Sequence, residues 1–295
     1  MARGRRQEVS EEEVGVRSAG ILYVVATPIG NLEDITMRAV RILGEVDLIA
    51  SEDTRHTKKL LSHLKINTPL KSYYKGKEES KSDELIRQLH QGLQVALVSD
   101  AGTPGISDPG SILVRKAREE GIRVVPIPGP AAVATAFSVA GFEGGFVFLG
   151  FLPSKANQRR KMLTAIASEQ QHLIFYESPH RITQCLGDCL DILGDRLIFI
   201  GREMTKLHEE LIRSTVAAAL ADFADRTSIK GEFVVVVEGA GKEEQPSDQS
   251  LKELLIWYRD QSDLSLSDAV KKIAKDLNLA RSVIYKDALA LWDEA

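Results

Sequence analysis

The feature that most constrains the fold is a series of eight short apolar runs, rich in β-branched residues and mostly unbroken by polar ones. The first four are ILYVVAT (21–27), VDLIASED (46–53), QVALVSD (94–100) and RVVPIPG (123–129). The second four are FVFLGF (146–151), HLIFYES (172–178), RLIFIGRE (196–203) and EFVVVVEG (232–239). Strands that are buried on both faces have this composition, so the runs predict buried strands.

Helical patterns fall between these runs, at 33–44, 83–91, 110–120, 131–139, 181–193 and 209–225. Alternation of strands and helices predicts an α/β fold with mostly parallel sheets. Eight strands are many for one sheet. The glycine-rich and basic segment 141–161 therefore predicts a seam between two α/β domains, although the seam could also fall near residue 130.

The C-terminal part of the chain has a different pattern. The polar segment 239–250 predicts a linker, and residues 250–295 predict a small helical domain. Ser265 and Asp268 fit a capping box, Asn278 can end the first helix and Ser282 can cap the next. Two helices joined by a short turn are typical of a helix-turn-helix, and a helical appendage that packs on the body or on a partner subunit is the alternative.

Composition and charge exclude several classes of protein. The formal net charge of −4 argues against a protein that coats nucleic acid nonspecifically. Residues 1–19 have no apolar core of a secretory signal and predict a disordered tail, or an arm that touches RNA. No run is long enough to span a membrane, and two cysteines with scattered histidines predict no metal site. A cytoplasmic location follows as an expectation.

The loops after the predicted strands carry the candidate chemistry, because ligands of parallel α/β sheets bind beyond the carboxyl ends of strands. Neither a Walker A loop nor a G-x-G-x-x-G loop nor a G-x-S-x-G elbow is present. The segment SDAGTPGISDPG (99–110) instead combines glycines, prolines and two aspartates. We expect Asp100 to face the crevice, and Asp108 before Pro109 to cap a helix.

Six segments carry a resemblance to a known family: VATPIGNLEDIT, ASEDTRHT, VSDAGTPGISDPG, VPIPGPAA, FYESPHR and KGEFVVVVEG. In this order they resemble the tetrapyrrole methylase superfamily and, within it, the bacterial ribosomal RNA small subunit methyltransferase I family. That resemblance spans residues 20 to 240, and the helical tail also fits it. It implies two α/β domains, 20–130 and 131–240, with S-adenosylmethionine in the cleft between them, and a homodimer.

The same resemblance implies an activity and a cofactor site. The activity is 2′-O-ribose methylation of a cytidine in the decoding region of 16S rRNA, within the small ribosomal subunit. The residues that it implies for binding S-adenosylmethionine are Pro28, Gly30, Asp100, Ala101, Gly102, Thr103, Ala131, Ala132, Tyr176, Glu232 and Phe233.

Methyl transfer to a hydroxyl needs alignment and a proton acceptor. The candidate acceptors around the cleft are Glu52, Asp53, His56, Glu177, His180 and Glu203, with Lys206 and Lys230 if their pKa values are lowered. Arg55, Arg181 and Arg202 stay protonated and suit phosphate binding. We take Glu52, Arg55, Glu177, Arg181 and Lys230 as catalytic candidates; a Glu52–Arg55 ion pair and a Glu203–Lys206 pair are the structural alternatives.

Three basic segments could hold RNA: RHTKK (55–59), KSYYKGK (71–77) and SKANQRRK (154–161). Tyr73 and Tyr74 in the second could form a stacking platform for unpaired bases. Two other functions stay open. One is a C-methyltransferase that acts on a corrin or porphyrin precursor, and the other is a noncatalytic RNA-binding or assembly factor that keeps the fold.

Overall fold

The structure is a computed structural model that describes residues 19–241, 248–261, 264–276, 281, 284–285, 288–289 and 291. One compact unit ends at Gly239 and a second starts at Ala240. The predicted disordered tail, apart from Ala19, lies outside the described residues. So do residues 242–247 of the predicted linker and the two predicted helix boundaries at Asn278 and Ser282.

The first sheet of the larger unit has five strands, and all of its neighbouring strands are parallel. Its strands are β1 (Ile21–Val25), β2 (Leu48–Ser51), β3 (Leu70–Ser72), β4 (Val95–Val98) and β5 (Arg123–Ile127). The helices between them are α1 (Met37–Glu45), α2 (Thr54–His63), α3 (Glu78–His90) and α4 (Ser111–Glu119). The strand order β3-β2-β4-β1-β5 puts the four buried residues of β4 at the centre.

The second sheet also has five strands, in the order β6-β7-β10-β8-β9. Its strands are β6 (Phe146–Phe151), β7 (His172–Glu177), β8 (Leu197–Arg202), β9 (Glu210–Thr215) and β10 (Phe233–Val237). The associated helices are α5 (Ala132–Ala140), α6 (Ala156–Ala165), α7 (Ile182–Leu193) and α8 (Val216–Asp225). The α/β fold class with two sheets is therefore confirmed.

Two expectations about the second sheet are wrong. Only β6 and β7 pair in parallel, and the other three pairings are antiparallel, so the sheet is mixed. The segment predicted as one helix over 209–225 is strand β9 followed by α8. The physical reason is the antiparallel pairing of β8 with β9, which brings the Arg202 guanidinium within 2.7 Å of the Glu210 carboxylate.

Two helices and one strand were not predicted, because they bury few apolar side chains. Helix α2 buries only Thr57, Leu60 and Leu61, and α6 buries Arg159 and Leu163. The three residues of β3 are all half-buried. Short elements with so narrow an apolar face give little periodic signal.

The core of the second sheet contains a buried ion pair. The Arg159 side chain, which is 2% exposed, lies 2.7 Å from the Asp188 carboxylate, and Arg160 approaches the same carboxylate at 2.6 Å. Cys185 and Cys189 are buried on the same helix as Asp188.

The second unit is helical, as predicted. It contains α9 (Asp248–Gln261) and α10 (Leu266–Asp276), and its core includes Leu255, Ile273 and Ile284. The Asp268 backbone N–H donates to Ser265 Oγ at 3.3 Å, and Ser265 Oγ donates to the Asp268 carboxylate at 2.7 Å. The predicted cap at the start of α10 is therefore confirmed.

The buried pair makes a testable prediction about stability. Asp188→Asn leaves the Arg159 charge buried without its carboxylate, so the free energy of unfolding should fall by about 3 kcal/mol or more. Urea unfolding followed by circular dichroism measures this change. The matched control is Asp191→Asn, because the Asp191 carboxylate is 61% exposed and also pairs with Arg160; it should cost less than about 1 kcal/mol. Equal losses in the two variants would contradict the prediction.

Candidate active site

A cavity of about 320 Å³ lies between the ends of the two sheets, within the size range of small-molecule sites. The first sheet contributes Ile29 after β1 and the loop of residues 101–108 after β4, without Pro104 and Gly105. The second sheet contributes the ends of β6 and β7, the segment around 201–206 and the start of β10. Ala131 and Ala132, at the start of α5, leave room because their side chains are small.

The first wall is held by backbone contacts. The backbone groups of Thr27 and Gly102 exchange two hydrogen bonds, at 2.9 and 3.0 Å. The Thr103 hydroxyl donates to the Pro130 carbonyl at 3.1 Å. Gly102 has φ of +79°, where side chains are strained, and a Cβ there would lie 3.4 Å from the Ile29 side chain. These constraints bring the backbone of residues 101–103 to the cavity wall.

The opposite wall is a strained loop, Glu203–Lys206, after β8. Glu203 and Thr205 both have positive φ, at 49° and 67°. The Glu203 N–H donates to the Glu232 carbonyl at 3.0 Å, and the Glu232 N–H donates to Glu203 Oε1 at 2.9 Å. Such backbone strain persists only where the surroundings enforce it, and it is concentrated at functional sites.

A lysine ammonium and two carboxylates meet on this wall. Lys206 Nζ lies 2.8 Å from the Glu203 carboxylate and 2.9 Å from that of Glu232. The Glu203–Lys206 pair that the sequence suggested is therefore present. All three side chains line the cavity, and the Glu232 carboxylate is 79% exposed.

A group of carboxylates lies beside the first wall. Burial, followed by repulsion from Asp108 and Asp100, raises the pKa of Glu52 to about 7. Burial is also the main cause that raises the pKa of Asp108, which lines the cavity. A carboxylate with a pKa near 7 is half protonated at neutral pH, and this is the range that suits proton transfer.

Eight of the eleven residues predicted to bind the cofactor line the cavity: Ala101, Gly102, Thr103, Ala131, Ala132, Tyr176, Glu232 and Phe233. Their contact with a cofactor stays a prediction. Burial is the main cause that raises the pKa of the Tyr176 phenol, so this ring offers a neutral hydroxyl at physiological pH.

The other three predicted cofactor residues lie outside the cavity lining. Pro28 is buried between Thr27 and Ile29, and Gly30 packs against the strained loop, where a Cβ would lie 2.5 Å from Lys206 Cγ. Asp100 accepts a hydrogen bond from the Asp53 N–H at 3.0 Å and so joins the loops after β2 and β4. These three residues therefore support the cavity wall without lining the cavity.

The five catalytic candidates lie in different surroundings. Glu52 is half-buried among the acidic side chains beside the first wall, whereas Arg55 and Lys230 are exposed. Arg55 pairs with the Asp53 carboxylate at 2.7 Å, so the suggested Glu52–Arg55 ion pair is wrong. The Asp53 side chain accepts a hydrogen bond from the Arg55 N–H at 2.8 Å and caps α2, which holds the arginine at the helix start.

Glu177 and Arg181 form a structural pair at the end of β7. The Glu177 carboxylate is fully buried and accepts from the Ser178 N–H at 2.7 Å and from Arg181 at 3.0 Å. Arg181 also donates to the carbonyls of Leu152 and Pro153, at 2.7 and 3.2 Å. Because both carboxylate oxygens are engaged, this arrangement suits positioning better than proton transfer.

Two sequence expectations near the cavity are wrong. Helix α4 begins at Ser111 after Gly110, so Asp108 does not cap it. Gly110 has φ of +147°, and a Cβ there would lie 2.9 Å from the Leu97 side chain, which explains why glycine separates Asp108 from the helix. Of the two tyrosines predicted as a stacking platform, Tyr73 is 1% exposed, lies 3.1 Å from the Ser82 hydroxyl and is a core residue, whereas Tyr74 is 39% exposed.

The sequence did not single out Phe151, Ser107 or Met204, which all line the cavity. Phe151 belongs to an apolar run that predicted only a strand, and Met204 is a buried residue within the strained loop. The glycines at 102, 105 and 110 were the one signal that the loop around Ser107 approaches a ligand site.

The described parts of the chain show no helix with the length and apolar character of a membrane span. Within the same residues, no group of three or more acidic, histidine or cysteine side chains is placed to hold a metal ion.

Comparisons with known proteins agree with this geometry. The family model of tetrapyrrole (corrin/porphyrin) methylases matches residues 21–220. A solved structure, that of the methyltransferase CobJ, superposes with a TM-score of 0.58 and 19% identity over 75% of this chain and 95% of that one, which shows the shared fold.

Relatives in sequence are more similar. The ribosomal RNA small subunit methyltransferase I of Halalkalibacterium halodurans is 46% identical over 90% of this chain and 93% of the relative. The protein of the same name from Synechocystis is 45% identical over 92% of this chain and 98% of the relative. The chain is therefore a methyltransferase that belongs to the ribosomal RNA small subunit methyltransferase I family, within the tetrapyrrole methylases.

Proposed function

We propose that this chain transfers a methyl group from S-adenosylmethionine to the ribose 2′-oxygen of a cytidine in the decoding region of 16S rRNA. The observation that carries the proposal is the 45 to 46% identity to proteins named for methylation of small-subunit ribosomal RNA. That similarity spans 276 to 278 residues and so extends beyond the tetrapyrrole methylase region. The proposal includes a homodimer that acts in the cytoplasm on the small ribosomal subunit.

The charges of the cavity fit the proposed cofactor. Three carboxylates with some exposure line it, from Asp108, Glu203 and Glu232, with the single ammonium of Lys206. S-adenosylmethionine carries two positive charges, on its sulfonium and amino groups, and one carboxylate. An excess of carboxylates with one lysine complements that pattern.

The small residues of the cavity fit the shape of the cofactor. Gly102 and the adjacent Ala101 would let the backbone approach it closely, and Ala131 and Ala132 would leave space for its adenosine part. Tyr176 and Phe233 would pack against the same ligand from the second sheet.

The proposed cofactor supplies a methyl group that is already activated by its positive sulfur, so the protein has to align the acceptor oxygen and remove its proton. We assign the role of proton acceptor to Glu52, which lies outside the cavity lining beside Asp108, because its pKa of about 7 lets it accept a proton at neutral pH. Asp108 lines the cavity and lies close enough to raise the pKa of Glu52.

The substrate RNA needs positive charge outside the cavity. Arg55 and Lys230 are exposed and would contact phosphates, and the exposed Lys58 and Lys59 follow Arg55 on α2. Because the whole chain is acidic, these few contacts would not hold flexible RNA tightly. The assembled small subunit, whose RNA is already shaped, is therefore the expected substrate.

Labelling of ribosomal RNA tests this proposal. Purified protein is incubated with methyl-labelled S-adenosylmethionine and small subunits from a strain that lacks its own copy of the gene. We expect label in a 2′-O-methylated cytidine, located by nuclease digestion and mass spectrometry. Free 16S rRNA serves as the comparison substrate and should be labelled much less. Label in a tetrapyrrole precursor, with none in RNA, would replace the proposal with the corrin or porphyrin alternative.

The assignment of Glu52 predicts a pH profile. Activity of the wild type should rise with pH up to about 7 and then level off, because Glu52 accepts a proton only when it is ionised. Glu52→Gln should lower kcat by about 100-fold or more and abolish this rise. Single-turnover rates between pH 5.5 and 8.5, with S-adenosylmethionine affinity measured in parallel, separate chemistry from binding.

Glu84→Gln is the matched control, because the Glu84 carboxyl pairs with Lys71 and its pKa is lowered, chiefly by that hydrogen bond. It should keep the wild-type profile. A Glu52→Gln variant that retains both the rate and the pH rise would remove Glu52 from the mechanism and leave the proposed methylation intact.

A further inference from the structure

Phe151 is an aromatic side chain whose exposure the fold does not require. It is the last residue of β6, it is 56% exposed and it lines the cavity. Ile106 of the first sheet, 44% exposed, lines the same cavity. Exposed large apolar groups at a cavity are typical of a surface that another molecule covers.

A β-bulge gives Phe151 its orientation. Phe148 pairs with Ile174 of β7, but Phe151 pairs with Tyr176, so one extra residue lies in β6 between them. With regular pairing, Gly150 would lie opposite Tyr176, and Phe151 would turn to the other face of the sheet. The bulge therefore keeps Phe148 and Phe151 on the face that carries Tyr176. Bulges beside active sites re-aim side chains in this way.

The backbone conformation at the bulge favours glycine. Gly150 has φ of +64°, which strains any residue with a side chain, and a Cβ there would lie 3.6 Å from Ser107 Oγ. This glycine brings the end of β6 next to the loop of the first sheet. Ser107 Oγ is buried and has no hydrogen-bond partner among the residues that the structure describes. A buried polar atom without a partner is uncommon in proteins and marks this position as one that calls for a functional explanation.

The backbone that follows Phe151 is anchored. Leu152 is 1% exposed, and its carbonyl accepts from Arg181 at 2.7 Å. The buried Glu177 carboxylate orients that arginine from the other side, at 3.0 Å. The ring of Phe151 therefore projects from a fixed base, and holding it costs a ligand little conformational entropy.

The contact between Phe151 and Tyr176 leaves ring surface open. Their centroids are 5.5 Å apart and their planes are inclined by 69°, which is an edge-on arrangement. An edge-on neighbour does not cover both faces of the ring, and the 56% exposure agrees with this. A flat π-system can stack on such a face.

We infer that Phe151 is a positioning residue that stacks on the base of the nucleotide whose ribose is methylated. The inference rests on the proposed function, because it needs an RNA substrate at the mouth of this cavity. A ribose 2′-oxygen can enter the cavity only if its nucleotide leaves the RNA stack, and proteins hold such bases on aromatic side chains. Ser107 Oγ, beside Gly150, would bond the edge of the base.

The test compares three variants in the small-subunit assay. Phe151→Leu keeps apolar volume but removes the aromatic face, and kcat/KM for small subunits should fall about tenfold or more. Phe151→Trp keeps an aromatic face and should retain most of the wild-type value. Phe146→Leu makes the same change at the other end of β6, outside the cavity lining, and should leave kcat/KM unchanged.

Two parallel measurements separate the occupants of this surface. Calorimetric affinity for S-adenosylmethionine and the sedimentation coefficient should be the same in Phe151→Leu and in the wild type. If Phe151→Leu lost affinity for S-adenosylmethionine by the same factor as it lost kcat/KM, the ring would contact the cofactor. If its sedimentation coefficient shifted toward that of a monomer, the ring would belong to a subunit contact. Either result overturns the inference, as does wild-type kcat/KM in Phe151→Leu.

The result for the wild type shows whether only the stacking role of Phe151 has failed or the proposed RNA methylation as well. If the wild type labels RNA and Phe151→Leu labels it equally well, the stacking role alone is lost. If the wild type labels no RNA, the proposed function fails and the inference falls with it.

Discussion

The geometry of the cavity depends on the close packing of the strained loop Glu203–Lys206 between the two sheets. On one side, a Cβ at Gly30 would lie 2.5 Å from Lys206 Cγ, and the Asn31 N–H donates to the Thr205 hydroxyl at 3.0 Å. On the other side, a Cβ at Gly231 would lie 2.4 Å from Glu203 Cγ. Two glycines thus admit a loop that touches both sheets and sets the distance between the cavity walls.

The charged residues around this cavity have two different roles: some hold the backbone of the cavity wall in place, and others are candidates for proton transfer. The Glu177 carboxylate and the Arg181 guanidinium are occupied by each other and by backbone groups, so they fix the ends of β6 and β7. Burial is the main cause that raises the pKa of both Glu52 and Asp108, and the pKa of Glu52 rises to about 7. Glu177 and Arg181 therefore hold the fold of the site, and Glu52 and Asp108 are the candidates for proton transfer.

Much of the fold could be predicted from the sequence, because all eight apolar runs are strands. The prediction that they are buried is wrong for β6, which has no buried residue, and for β5, which has only one. The hairpin β8–β9 could not be predicted, since ELIRST has only two apolar residues, which are adjacent, and so shows neither a long apolar run nor strict alternation. Most of the cavity residues were expected from the family motifs. The role predicted for Asp108 as a helix cap was wrong and Phe151 was missed, because their positions depend on Gly110 and on the bulge at Gly150, which are set by tertiary contacts and not by local pattern.

Binding of S-adenosylmethionine to variants of α5 tests most directly whether this cavity is the cofactor site. Ala132 lines the cavity, whereas Ala134 on the same helix is exposed and outside the lining. Isothermal titration should show one site per chain in the wild type and in Ala134→Trp, and no binding to a folded Ala132→Trp, because the indole fills the space. Wild-type affinity in Ala132→Trp would contradict the account and place the cofactor elsewhere.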